Sequence, residues 1–292
     1  MARDDYGNPI PKEGRRIKTL LPVNIVSPFI MKTRIGATNY FETSIEISAC
    51  EDLIRKKRME GLKGFGMLHV ILAAYVRTVS QLPGINRFIR GQRVYARNSI
   101  ELIMMVKKDM KLDAQETSAK VQIKPDATVD DVYNVLNNEI IRNKDQGDQS
   151  SFDATARLLS KIPRLILKFI IWFLGALDYF GLLPRKLVYT SCFHGSMFIT
   201  ALGSLGIPPI YHHLYDFGNV PVFIAYGAKR KENVLQKDGT VLQQKFIDMK
   251  ICTDERICDG HYMATAFKML SSLLKNPHQL ESPPDKVVKD ID

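Results

Sequence analysis

The segment Thr253-Asp-Glu-Arg-Ile-Cys-Asp-Gly-His261 gathers carboxylates, a guanidinium and an imidazole into one short stretch. Carboxylates and imidazoles take up and release protons in general acid–base work, and a guanidinium steadies developing negative charge. Residues 244–252 before it alternate like a strand. After it, Tyr262, Ala266, Met269, Leu270, Leu273 and Leu274 recur at helical spacing, so the charged residues form the turn from strand to helix. Asp254 and Asp259 can accept hydrogen bonds from the unpaired N–H groups at the helix start, and Gly260 permits a tight backbone there. On spacing alone two readings stand: a well-capped structural turn, or a site mounted on that turn.

The rest of the chain must position it. With 292 residues, 45% of them apolar, a substantial core can form, and one domain with extra segments is expected. The formal charge of +10 favours anionic partners, among them phosphorylated cofactors, acidic proteins and membrane surfaces. The basic clusters at 55–58, 87–97 and 229–231 do not interleave aromatics as a single-strand nucleic-acid groove would, so no nucleic-acid partner is expected. Cys50, Cys192, Cys252 and Cys258 show no paired spacing and the N-terminus carries no apolar signal core, which fits a reducing cytoplasm. None of His69, His194, His212, His213, His261 and His278 falls at a local metal-ligand spacing, and no metal is expected.

In order, residues 1–22 read as a polar, proline-bearing N-terminal arm, 23–276 as the main domain and 277–292 as a polar C-terminal tail. Helices are predicted over 25–35, 50–61 and 67–82, the last buried and ended by Pro83-Gly84, with His69 a packing residue. Runs at 86–89, 93–96 and 100–106 suggest a meander that 121–123 extends, and Thr128 with Asp131 caps a helix running through 141 to a polar loop at 143–151. Residues 158–183 are the most apolar stretch. Its uncharged piece, 169–177, is far short of the roughly 20 residues a spanning helix needs. Lys161, Arg164 and Lys168 fall near one face, so an amphipathic helix pair is predicted, covering a core, an oligomer interface, a hydrophobic tunnel or a membrane surface, in that order. Strands follow at 187–190, 197–202 and 222–226. Between the last two runs a long loop, 203–218, in which His212-His213 is read as packing rather than as ligand or base, and Lys237-Asp-Gly-Thr240 makes a hairpin turn.

The pattern D-x-R-x-x-D-G at 254–260 resembles the D-H-R-x-x-D-G signature of dihydrolipoamide acyltransferases, the acyl-transfer component of 2-oxoacid dehydrogenase complexes, and of the related chloramphenicol acetyltransferases. Phe198-Ile-Thr-Ala-Leu-Gly-Ser-Leu-Gly206 resembles the same family's F-T-I-S-x-L-G-x-x-G block. The resemblance implies a chloramphenicol acetyltransferase-like α/β two-layer sandwich, a mixed sheet with helices packed on it, assembled as a homotrimer with active sites between subunits. It implies coenzyme A, or a lipoyl carrier, as substrate and no tightly bound cofactor. In the family a motif histidine removes the thiol proton, an aspartate orders the local structure and a serine hydroxyl stabilises the tetrahedral oxyanion. Carried over, the aspartate falls on Asp259, the arginine on Arg256 and the serine on Thr200, which keeps a hydroxyl; Gly260 and the nearby imidazole of His261 are supporting positions.

The family histidine falls on Glu255. A thiol near pKa 8.5 is matched by an imidazole near 6.5, whereas an ordinary carboxylate near 4.3 lies roughly two units lower, about 3 kcal/mol of proton-transfer driving force. A carboxylate also opposes the negative charge of a nearby thiolate and oxyanion unless a cation such as Arg256 offsets it. His261, six residues on, is expected to point elsewhere. The expected activity is therefore acyl transfer by a free-standing catalytic-type domain without lipoyl modules, the alternative being a catalytically inactive module that keeps the fold for binding or assembly.

Overall fold

The computed structural model describes residues 12–107, 116–145 and 159–292. The first eleven residues of the arm and most of the loop expected at 143–151 lie outside the described residues. A six-stranded mixed sheet in the order β2-β9-β8-β7-β5-β6 forms one layer. Its strands are β2 (Thr38–Glu46), β5 (Ile100–Lys107), β6 (Glu116–Ile123), β7 (Met197–Ala201), β8 (Val222–Leu235) and β9 (Val241–Asp254). β7 runs parallel to both β5 and β8, and the other pairings are antiparallel.

The second layer is made by α2 (Ser48–Met59), α3 (Met67–Gln81), α4 (Val129–Asp145) and α7 (Gly260–Lys275). Ile247, Met249 and Ile251 of β9, Val222 and Ile224 of β8, and Met197 and Ile199 of β7 meet these helices in the main core. The period-two alternation sends the intervening residues to the other face. α3 is the centre of the core: every residue on it but Leu68 and Gln81 is buried, so it is enclosed nearly all round rather than on one stripe. His69 packs there as expected, its Nδ1 accepting the Gly66 N–H at 3.1 Å and its ring stacked on Phe65. Thr128 and Asp131 form the predicted cap of α4, each side chain bonding the other's backbone N–H. The architecture is the expected α/β two-layer sandwich.

Two local readings are corrected, the meander and the strand at 187–190. The runs at 86–89, 93–96 and 100–106 do not make one meander. β3 (Arg87–Arg90) and β4 (Arg93–Arg97) pair as a hairpin and join β1 (Gly14–Arg16) in a separate sheet of order β1-β4-β3. Gly91 and Gln92, at φ 54° and 55°, close this hairpin with the left-handed backbone that matches strand twist. Residues 187–190 are not a strand but belong to a short helix, α6 (Arg185–Thr190). Lys120 on β6 donates to the carbonyls of Val188 and Ser191 at its C-terminal end, a long-range contact that outweighs the local β-preference of Leu-Val-Tyr-Thr. Of the expected helix pair at 158–183, the described residues hold a helical end at 159–160, a break at 161–163, and the helix α5 (Arg164–Phe180), ended by Gly181 in the left-handed region at φ 72°. No residue of α5 is buried, so it is not a core helix.

On the sheet face away from the helices, the 203–218 loop lies over β8 and β9. His212 stacks on Phe223 with ring centroids 3.9 Å apart, and the Cys252 thiol donates to the His212 carbonyl at 2.8 Å, so this histidine packs as read from the sequence. β8 and β9 run beyond the sheet as a two-stranded ribbon, with a bulge between Tyr226 and Lys229, held by cross-strand Arg230–Asp248. At the other end of the chain, Asp290 pairs with the guanidinium of Arg87 at 2.6 Å, and Val288 donates its N–H to Ser80 O, so residues 277–292 run back along the body.

Candidate functional site

Asp254 closes β9, its N–H donating to Pro221 O at 2.9 Å. Its carboxylate is 1% exposed and accepts from the backbone N–H of Arg256 at 3.1 Å, from Arg256 Nε at 2.8 Å and from Arg256 Nη2 at 2.7 Å. Arg34 Nε stands 3.6 Å from the same carboxylate. Arg256 Nη1 donates to Met31 O, while Arg34 donates to the carbonyls of Tyr215 and Gly218 and its backbone N–H to Asp216. The motif is thus bolted to the segment after α1 (Pro22–Ile30) and to the long loop. Two guanidiniums around one buried carboxylate form a charge-assisted cluster. Arg256 is turned inward, away from any role in offsetting charge beside Glu255.

Glu255 opens the short 3₁₀ turn Glu255–Ile257 and its side chain is exposed. Asp259 is the N-cap of α7: its Oδ1 accepts the N–H of Tyr262 at 2.9 Å, as the spacing predicted. The tight backbone expected at Gly260 is not needed. A Cβ there would meet nothing within 4 Å and its φ is not positive, because the extended Asp259 already turns the chain. His261 is exposed on the first turn of α7, its carbonyl accepting from Thr265. Burial pushes the Cys258 thiol up to about 12, so this neighbouring sulfur stays protonated and unreactive at neutral pH.

Thr200 lies elsewhere on the sheet. It pairs with Ala225, and Ala225 with Lys250, so Thr200 sits level with Lys250, two strands from β9 and five residues short of Glu255. At ~4.8 Å between strands and ~3.3 Å per residue, the two positions are roughly 15–20 Å apart. Proton transfer needs contact near 3 Å, so Glu255 and Thr200 of one chain cannot serve one reacting centre. The structure brings together Glu255, Arg256, Asp259, Gly260 and His261, as their adjacency required, and leaves Thr200 half-buried and apart.

Sequence reasoning missed Arg34, which carries no local signal: only the fold brings it to Asp254. It also missed a buried cluster at the C-terminal end of α5. Asp178 Oδ2 meets His194 Nε2 at 3.1 Å, His194 Nδ1 meets Ser191 Oγ at 2.9 Å, and Arg90 pairs with Asp178 at 3.2 Å. The order of serine, histidine and aspartate resembles a nucleophile relay. His194, however, is 1% exposed and Asp178 is shared with Arg90, so the set works as a strut tying α5 to the body. Glu13 reinforces it from β1's approach, paired with Arg97 and Arg90. Burial alone would raise its carboxyl, but the two guanidiniums outweigh that and hold it at about 2. A cleft of about 290 Å³ between the motif and this strut is lined by Lys32, Arg34, Arg90, Asp178, Asp216 and Arg256 among others, a cationic wall on which neither Glu255 nor Thr200 opens. Among the described residues no group of three or more His, Cys, Asp or Glu is arranged to hold a metal ion.

A mixed sheet with helices on one face, ending in a charged turn capped onto a helix, is a two-layer sandwich shared with solved acetyltransferases. The probable dihydrolipoamide acetyltransferase of Listeria monocytogenes superposes with a TM-score of 0.56 at 10% identity, over 88% of this chain and 94% of that one. The cubic core of the pyruvate dehydrogenase multienzyme complex gives 0.53 at 12% identity, over 94% and 96%. The dihydrolipoamide acetyltransferase of Azotobacter vinelandii gives 0.54 at 13%, also over 94% and 96%. At such identities the likeness is one of fold. In the sequence, residues 186–281, which hold both Thr200 and the 254–260 motif, match the model of the 2-oxoacid dehydrogenases acyltransferase catalytic domain. Nothing among curated protein sequences matches the chain.

Proposed function

We propose that this protein moves acyl groups between a thioester of coenzyme A, or of a lipoyl carrier, and an acceptor, as a cytoplasmic homotrimer. Each centre would be built from the 254–260 turn of one copy and the Thr200 region of the next. The observation that carries this reading is the pairing of an acyltransferase-family match over both blocks with a register that keeps Glu255 and Thr200 roughly 15–20 Å apart within one chain. A second copy supplies what the single chain lacks. In this reading Glu255 is the general base, the Thr200 hydroxyl donates to the oxyanion, and Asp254, Arg256 and Asp259 hold the turn. The +10 charge suits the phosphates of coenzyme A.

A second reading, a binding or assembly module without turnover, is favoured by one specific feature: the donors of Arg256 point to Asp254 and Met31, so the motif's own cation does not neutralise Glu255. The two are separated by incubating the purified protein with acetyl-, branched-chain and longer acyl-coenzyme A together with dihydrolipoamide. Glu255→Gln is expected to abolish transfer, and Glu255→His to retain or raise it. Equal activity in all three forms would remove Glu255 from the mechanism. A trimer that neither turns over nor binds any member of the panel is the module.

A further inference from the structure

α5 presents an outer surface that the proposed transferase reaction does not use. At 3.6 residues per turn, Leu165, Ile166, Phe169, Trp172, Phe173 and Phe180 fall within about 120° of one another. All six are exposed, Leu165 at 81%, Phe180 at 72% and Trp172 at 66%. The opposite side, with Leu167, Ile170, Leu174 and Leu177, is half-buried toward the body. The helix is held by its C-terminal end: Asp178 joins Arg90 and His194, and Tyr179 donates its hydroxyl to Gln92 at 2.7 Å. Bulky side chains are therefore fixed outward on a rigid element, among the described residues without a neighbour over them.

The charges around that face say what it meets. Between 161 and 190 the chain carries Lys161, Arg164, Lys168, Arg185 and Lys186 against a single carboxylate, Asp178, and that carboxylate is committed inward. Arg164 and Lys168 lie beside the apolar arc at the N-terminal end, and Arg185 and Lys186 follow the C-terminal end. A second copy of this chain would bring the same cations against these, in a molecule already at +10. An anionic surface with an apolar interior satisfies both features at once. No helix of the described residues is long and apolar enough to cross a membrane, so the fitting geometry is one in which the helix lies along the surface. α1 adds to the patch: it ends just before Lys32, which lines the same cleft as Tyr179, and Val23, Ile25 and Phe29 on it are exposed.

We propose that α5 seats this protein on an anionic lipid bilayer, its aromatic face in the headgroup–acyl boundary and its flanking cations on lipid phosphates. Trp172, the chain's single tryptophan, reports directly. With vesicles of phosphatidylcholine plus phosphatidylglycerol its emission is expected to shift to the blue and to become protected from iodide, and the protein is expected to float with the vesicles. Phosphatidylcholine alone, or high salt, should leave Trp172 in water. Phe169→Glu, and separately Lys161→Gln with Lys168→Gln, should each weaken vesicle partition roughly tenfold with unchanged melting temperature and mass. Equal binding to both vesicle types overturns the electrostatic assignment, and no spectral change with either overturns the proposal. So does a Trp172 already shielded from iodide without vesicles, with the mass falling on Phe169→Glu, since that places the face between copies of the chain. None of these readouts depends on acyl transfer, so failure here and failure of the transferase reading are distinguishable.

Discussion

Asp254 and Glu255 are neighbours in the motif, yet substituting them should have opposite consequences, because one side chain is buried and the other faces solvent. Asp254→Asn removes the carboxylate that lies between two guanidiniums, each 6% exposed. Asparagine keeps one acceptor oxygen for Arg256 but not the charge, and it cannot take both Nε and Nη2 as the carboxylate does. Breaking a buried ion pair by neutralising one partner costs about 3–5 kcal/mol, because the remaining charge stays desolvated. The residual acceptor places Asp254→Asn near the lower end, about 3 kcal/mol. With a urea slope of about 3 kcal/mol/M the midpoint should fall by about 1 M. Glu255→Gln changes an exposed side chain and should stay within about 0.5 kcal/mol of the parent while removing thiol-dependent transfer. Urea titrations followed by circular dichroism measure both. An Asp254→Asn midpoint indistinguishable from the parent would refute the buried cluster as the support of the turn. A Glu255→Gln protein as destabilised as Asp254→Asn would refute the division between fold and chemistry. The cycle with Arg256→Met isolates the pairwise part, expected to be favourable.

Two further outcomes follow from the same geometry. If centres form between copies, inactive Glu255→Gln and inactive Thr200→Ala chains refolded together should recover about a quarter of parental activity, since a centre needs one intact residue from each neighbour; no recovery would place both residues in one chain or leave one of them idle. Glu13 is held at about 2 from an ordinary value of 4.5, so its contribution is fully present above pH 4.5 and is lost as the pH falls toward 2. Its size is about 3 kcal/mol, and a Glu13→Gln protein, less stable at neutral pH, should lack that part of the acid destabilisation when stability is followed from pH 6 to 3.

How much was legible in the sequence depends on where the deciding contacts lie. Helix α3, the capped start of α4, strand β9 and the N-cap of α7 could all be read, because each is fixed by periodicity or by side chains within a few residues of the backbone they serve. The same locality made Asp259 legible as a cap. It also misled: Leu187 to Thr190 have strand-forming side chains, yet they lie in a helix whose Val188 and Ser191 carbonyls accept from Lys120, distant in sequence. The meander failed for a similar reason, since the second neighbour of β4 is β1, some eighty residues earlier in the chain, rather than β5.

The sequence by itself determined which side chains the protein has to work with: a D-x-R-x-x-D-G turn with Glu255 between Asp254 and Arg256, a hydroxyl at Thr200, and an apolar helix flanked by cations. Side-chain identity and short spacing carry that information directly. Only the tertiary structure decided that Arg256 and Asp254 serve the fold, that Glu255 stays in water, and that Thr200 is beyond its reach in the same chain. Sheet register and burial bring together residues far apart in sequence, such as Arg34 and Asp254, and separate residues whose motifs suggested a common centre.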